Sequence, residues 1–402
     1  MRDTYGGPEI TALSTARSWR ETALSDRGTN LRPAGPREPA AALPADLVGT
    51  LFESLARRDH RLKGEQYLCG LLGSPGRKSV RAIAAHLGDG TTEQRLHHFI
   101  SNSTWDWMPV RRALSSYLGW LETPRAWVVQ PMAIPKAGEH SVGVHEALDP
   151  NAGRFHGQLA FGLWHASPAL RAPVHWRLFL PEAESDTAPR DSSPDSGFLE
   201  FAGWGSPARP LVVNMDIEDT GAGIARFAAA GLPVLARVRS DSPFETAAGG
   251  NRHGRRTLSA QQILTAARGR RRPTDPTGPG PAGDGGDTSA VAVRVAGVGR
   301  DRAAGPLTLL GVWRRPRHRP ESLWVTTMSD ASAGELLGLT ELATAVERDL
   351  ADPDPDTGLR DYEGRTFRGW HRHMTLASAA YAVSVLPPAA ATPTAYPPRT
   401  AC

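Results

Sequence analysis

Cysteine is almost missing from this chain: Cys69 and Cys402 are the only two among 402 residues. One sits in a helical stretch and the other at the C-terminal end, so neither a disulfide framework nor a thiolate metal site is expected, which fits a reducing cytoplasm. Lysine is equally scarce, with Lys63, Lys78 and Lys136 alone among 46 basic residues. The planar fork of arginine suits phosphate oxygens, but a GC-rich coding sequence writes the same bias together with abundant Ala, Gly and Pro. With 42 acidic residues the net charge is only +4, too small to argue alone for a polyanionic partner. No apolar run approaches about 18 residues, and the opening MRDTYGGPEI has no apolar stretch behind a basic start. Neither a membrane span nor a standard export signal is therefore expected. Also absent are a Walker loop, a dinucleotide-type glycine motif after a strand and a serine nucleophile elbow.

What is present begins at about residue 45. Residues 1–44 mix Pro, Gly, Thr and Arg without periodicity and read as a disordered leader. From 45 to 121 apolar residues recur at helical spacing: Leu47, Leu51 and Leu55 on one face, Ile83, Ala84 and Leu87 on another, Leu96, Phe99 and Ile100 on a third. This is a helical N-terminal domain, with DNA binding as one use for it, and Trp105 and Trp107 read as part of its core. Strand-like runs follow at Trp127–Gln130, His140–Val144, Gly157–Trp164 and His175–Pro181, close enough in sequence to be antiparallel neighbours. Glu182–Arg209 reads as a loop. The apolar run ending at Asn214, a helix over about 220–230 and a strand over 233–238 spell a parallel crossover. A helix is expected over Thr257–Arg271, then a Pro/Gly/Asp-rich stretch within a low-complexity insertion around 240–290. Strands at Val291–Val298, Leu307–Trp313 and Leu323–Thr327 and helices at Ala333–Leu350 and Arg368–Val385 complete the order, before a proline-rich disordered tail at 387–402.

Three separated blocks carry more information than this order does: QRLHHFISNSTWDW at Gln94–Trp107, IPKAGEHSVGV at Ile134–Val144 and YEGRTFRGWHRHMTL at Tyr362–Leu376. In these blocks the chain resembles bacterial insertion-sequence transposases of the DDE superfamily. The resemblance implies an α/β (α+β) fold with an RNase H-like mixed sheet flanked by helices over 122–386. It also implies an enzyme in which three acids hold two Mg2+ or Mn2+ ions about 4 Å apart for in-line attack on phosphodiesters. Partners implied in the same way are DNA, as element ends with inverted repeats, and a second copy of the chain to hold two ends together. A cytoplasmic, nucleoid-associated protein would result.

At two of the three acid positions this chain carries an amide. The first acid follows an apolar strand before a turn matching Ile134-Pro135-Lys136, which points to Gln130; no Asp or Glu occurs from Thr123 through Gly138. The second, counted back from Gly231-Leu232, is Asn214. Asp216 would share a strand face with Asn214 if the extended backbone continued, making it a candidate compensating acid and metal ligand. The third is Glu347, the remaining catalytic and metal-ligating candidate, with Ala343 where the family places an arginine. Two readings stay open: a transposase by descent with little or no strand-transfer activity, or a non-catalytic DNA-binding or regulatory protein derived from one. Candidate DNA contacts are Lys136, Arg365, Arg368, Trp370, His371 and His373, although Trp370 and the histidines fit a packed core equally well. Two arginine clusters, Arg252–Arg256 and Arg268–Arg272, either neutralise phosphates or line a solvated loop.

Overall fold

The computed structural model describes residues 43–88, 92–149, 153–180, 204, 209–216, 220–247, 255–273, 288–298, 305–314, 318–353 and 356–386. The leader up to residue 42, most of the 182–209 loop, most of the Pro/Gly-rich stretch and the tail from 387 lie outside them. Among the described residues five helices come first: α1 Ala45–Phe52, α2 Arg58–Gly73, α3 Val80–Leu87, α4 Thr92–Ser101 and α5 Trp107–Leu121. Their ends are written locally. The Ser79 hydroxyl caps α3 by accepting from the Ala82 amide, Gly88 closes it with φ 82°, and the Asp106 carboxylate caps α5 by accepting from Met108.

The sheet begins with β1 Ala126–Pro135, β2 His145–Asp149, β3 Gly153–Ala166 and β4 Arg171–Leu178. It continues through β5 Leu211–Val213, helix α6 Thr220–Ala229 and β6 Val234–Arg237. After β7 Pro243–Ala247 and β8 Arg255–Ser259 come α7 Ala260–Ala267, the short 3-10 turn Arg268–Arg270 and β9 Arg272–Pro273. Strands β10 Ser289–Ala296, β11 Pro306–Trp313 and β12 Ser322–Thr326 precede α8 Ala333–Ala351 and α9 Phe367–Val385. All twelve strands join one sheet, in the order β2-β3-β1-β5-β6-β12-β11-β10-β7-β8, with β4 beside β3 and β9 beside β10.

Within this sheet β1 runs antiparallel to β3, β3 antiparallel to β4, and β1 parallel to β5, which is parallel to β6. Two antiparallel neighbours on one side of the first strand and two parallel ones on the other is the RNase H-like order that the resemblance implies. Strand β1 is buried on both faces over nearly its whole length, as expected where helices cover a sheet. Gln130 is the polar exception in its interior. The crossover through α6 forms as its sequence pattern predicts.

Two elements differ from the pattern. His140–Val144 does not pair as a strand; Gly143 has φ 73°, and the Val142 amide donates to the Gly364 carbonyl, so the block is a turn clasped by a distant segment and β2 starts only at His145. The helix expected over Thr257–Arg271 is shorter. Ser259 and Gln262 form a reciprocal capping box that starts α7 at Ala260, leaving Arg255–Ser259 to pair with β7.

Helix α9 joins the helical layer to the sheet. Arg111 of α5 is fully buried, and its guanidinium donates to Thr375 Oγ1 (2.8 Å), His175 Nδ1 (3.1 Å), the Trp176 carbonyl (2.9 Å), His371 Nδ1 (3.1 Å) and the His371 carbonyl (3.1 Å). None of these acceptors is anionic. Burial lowers Arg111 to about 9, with Asp106 opposing, so it stays charged at neutral pH. Next to His371 on α9, Arg372 donates to the carbonyls of Trp105 (3.1 Å) and Ile100 (3.0 Å) and lies over the Trp105 ring. His373 bridges Tyr67 Oη at Nδ1 (2.8 Å) and the Gly358 carbonyl at Nε2 (2.7 Å). Trp176 of β4 donates its indole N–H to Ser378 (2.8 Å).

The histidines of this hub must be neutral. Burial, reinforced by Arg111, holds His175 and His371 well below 6.5, and burial pushes His373 down to about 4. Below pH 6.5 the unfolded chain takes up protons that the folded chain refuses until about 4 at His373, so stability falls as pH drops through that window. At about 1.4 kcal/mol per unit, His373 alone removes roughly 3 kcal/mol. The urea midpoint should therefore fall steeply between pH 6.5 and 4.5, and His373→Gln should flatten part of the fall. An equal slope in both proteins would refute this account.

Candidate functional site

Three elements aim their side chains at one point. Gln130 lies in β1, Asn214 directly follows β5, whose parallel pairing with β1 is extended by the Asn214 amide donating to the Val129 carbonyl (3.0 Å), and Glu347 projects from α8. Gln130 and Asn214 are each 2 % exposed, and Glu347 is half-buried. The Asn214 Nδ2 group donates to Gln130 Oε1 at 2.7 Å and to Glu347 Oε2 at 3.2 Å, with the Ala343 carbonyl at 3.5 Å. The orientation of the amide follows from its neighbours. An ionised Glu347 can only accept, so Asn214 turns its NH2 toward it, and Gln130 must then present its oxygen.

The residues singled out as Gln130, Asn214 and Glu347 are thus brought together. As a donor set they carry one negative charge, and an N–H pair points to where oxygens would converge on an ion. Among the described residues no three His, Cys, Asp or Glu side chains are grouped to hold a metal. Asp216 is not drawn in: the strand ends at Val213, and the exposed Asp216 carboxylate lies 3.7 Å from the Arg237 guanidinium. Glu218 and Asp219, the next acids along, lie outside the described residues. Ala343 is fully buried, and its small side chain lets the Asn214 amide reach the helix carbonyl.

The candidate DNA contacts divide by burial. Trp370, His371 and His373 belong to the interior of the hub: Trp370 is 0 % exposed, His371 stacks on Trp107 at 4.9 Å, and His373 spends both ring nitrogens on protein partners. They do not present a surface to DNA. Arg365 and Arg368 are exposed at the start of α9, while half-buried Lys136 donates to the carbonyls of Arg360 (3.0 Å) and Tyr362 (2.8 Å). Burial lowers the Lys136 pKa, with nearby Arg77 adding to it and Glu363 and Asp361 opposing. The Ile134–Val144 block is further fixed by Ser141 Oγ donating to the Glu363 carbonyl (3.2 Å). All three blocks therefore meet along 358–376. Arg111 was missed by sequence reasoning, because an arginine within an amphipathic helix carries no mark of burial.

Polar side chains from β1, the end of β5 and α8 thus converge on one point of a mixed sheet with the RNase H-like strand order. Residues 50–196 match the family model described as DDE superfamily endonuclease. The matched segment includes Gln130 and Lys136 and ends before Asn214 and Glu347. Among solved structures, the chain is similar to a piggyBac transposase synaptic complex with hairpin DNA determined by cryo-EM, at 12% identity over 84% of this chain and 72% of that one, with a TM-score of 0.42. No curated protein matches the chain.

Removing the central amide tests the network. Asn214→Leu leaves Gln130 Oε1 buried without its donor, which costs about 1–3 kcal/mol. Asn214→Asp sets a second carboxylate against Glu347 with no proton between them. In metal-free buffer both variants should melt below the wild type, and Asn214→Asp should recover on acidification from pH 7 to 5. An unchanged melting temperature in both would remove the network from the account of stability.

Proposed function

We propose that this protein is a transposase-derived DNA-binding protein that engages DNA without metal-dependent cleavage. The observation that carries the reading is the Asn214 amide donating to both Gln130 and Glu347. Divalent ions of the DDE reaction need several anionic oxygens to offset their charge; one carboxylate and two hydrogen-bonded amides do not fit them. No cleavage or strand-transfer step is therefore derived for this chain. Retention of the surrounding scaffold argues that binding outlived chemistry.

DNA is the partner that the superfamily match over residues 50–196 favours, and the exposed cations Arg365 and Arg368 are available to its backbone. Helices α3 and α4 expose Arg81, Arg95, His97 and His98, and pairs of short helices recur in DNA-binding units. An insertion-sequence origin, recognition of inverted repeats by a homodimer and a place at the nucleoid belong to the same proposal. No helix of the described residues is long and apolar enough to cross a membrane.

The test uses the full chain, duplex DNA from the flanks of its own gene, and Mg2+ or Mn2+. We expect salt-dependent retention of the duplex without metal, no nicking with metal, and a melting temperature insensitive to either ion. The Gln130→Asp, Asn214→Asp variant should melt lower in EDTA and regain stability with Mn2+, because an ion that binds only the folded state stabilises it. Metal-dependent nicking by the wild type that Glu347→Ala abolishes would overturn the proposal, as would failure to retain DNA even at low salt.

A further inference from the structure

From β8 through β9, residues 255–273 contain six arginines and no Asp or Glu. The arginine clusters of the sequence are here partly folded: Arg255 and Arg256 lie in β8, Arg268 and Arg270 in the 3-10 turn, and Arg272 in β9; Arg252 lies outside the described residues. Arg271 anchors the turn, its guanidinium 5.5 Å from the centre of the Trp313 ring. Arg256, Arg268, Arg270 and Arg272 are exposed.

Beside them a groove of about 990 Å³ opens between α7 and the segment 318–319, lined by Gln261, Gln262, Thr265, Arg268, His318 and Arg319 among others, none of them acidic. Its walls are rich in donors. Arg268 abuts the His318 ring, 3.2 Å from Nε2. Gln262 commits its carbonyl oxygen to the Ser259 amide in the capping box, which leaves its NH2 for a ligand. A ligand in this groove would meet guanidinium groups from two chain segments with amide and hydroxyl donors between them, which is the chemistry of a phosphodiester backbone rather than of a base edge. Helix α7 lies against β10 and β11, which stand four and three strands from β5 in the sheet. At ~4.8 Å per strand that is at least roughly 14 Å from the amide cluster, so the groove is no part of it.

We propose that this groove is a sequence-independent site for the phosphate backbone of duplex DNA. It rests on the DNA-binding reading given above and says which surface supplies the electrostatic share of the affinity. Each phosphate contact contributes about 0.9 to the slope of log affinity against log salt.

The experiment is a titration of a random-sequence fluorescent duplex at several NaCl concentrations. It compares the wild-type chain with Arg268→Gln, Arg270→Gln, Arg319→Gln combined, and with a control of equal charge change, Arg154→Gln, Arg226→Gln, Arg348→Gln combined. The replaced side chains are exposed, and equal melting temperatures verify folding. We expect the groove variant to lose at least about ten-fold in affinity and to flatten the slope by about two to three, at 0.9 per contact, while the control keeps the wild-type slope. Wild-type binding with the same slope in the groove variant overturns the groove alone. Equal losses in both variants overturn it too, since net charge then suffices. No binding by the wild type at low salt overturns the DNA-binding reading and the groove together.

Discussion

A guanidinium held in the interior by neutral acceptors is the constraint on which this architecture turns. Burying a cation without a carboxylate is costly unless its N–H groups are all met, and Arg111 meets that condition only where α5, β4 and α9 come together. Any shift of one element strands a charged donor. The requirement runs outward as well: His175 and His371 accept from Arg111 through Nδ1, so both rings must be neutral and carry their proton on Nε2. Arginine suits the position because its rigid fork addresses several acceptors at once, which an ammonium on a flexible stem does not.

That constraint explains why widely separated blocks of sequence share a fate. Ile100 and Trp105 give carbonyls to Arg372, Tyr67 meets His373, and Val142 and Lys136 grip the segment leading into α9. The residues that carry the family resemblance are chiefly those that hold the helical layer, β1 and α9 in one body. They can persist in a chain whose reaction centre has changed, because their role is positional. Resemblance in these blocks is therefore evidence of scaffold, and the chemistry has to be judged at Gln130, Asn214 and Glu347 themselves.

Much of the fold was legible in the sequence and some of it was not, for identifiable reasons. The LVV strand, the α6 crossover and the long final helices follow from apolar periodicity, which reports burial directly. The turn at His140–Val144 reads as a strand because its conformation is set by hydrogen bonds to a segment some 220 residues away in sequence, and no local pattern records that. Counting from the resembling family brought Gln130, Asn214 and Glu347 to one point. What counting does not supply is the hydrogen-bond polarity, since whether Asn214 offers oxygen or N–H depends on the partners it meets. The same limit divided the Tyr362–Leu376 block: Arg368 and Trp370 stand two residues apart, yet α9 turns one to solvent and the other into the core.

The two amides make sense as a pair. Three carboxylates gathered at the end of a sheet repel one another unless cations lie between them, so a centre of that kind depends on its ions for local stability. Replacing the second acid alone by Asn would supply N–H donors to the two remaining carboxylates, but would leave two negative charges on a nearly buried cluster. With Gln at 130 as well, a single anion remains, Glu347, and it is the least buried of the three. Its charge is met by Asn214, whose amide is held in turn by Gln130. The outcome is a centre that keeps its place in the fold through hydrogen bonds of its own, with a single carboxylate at its edge.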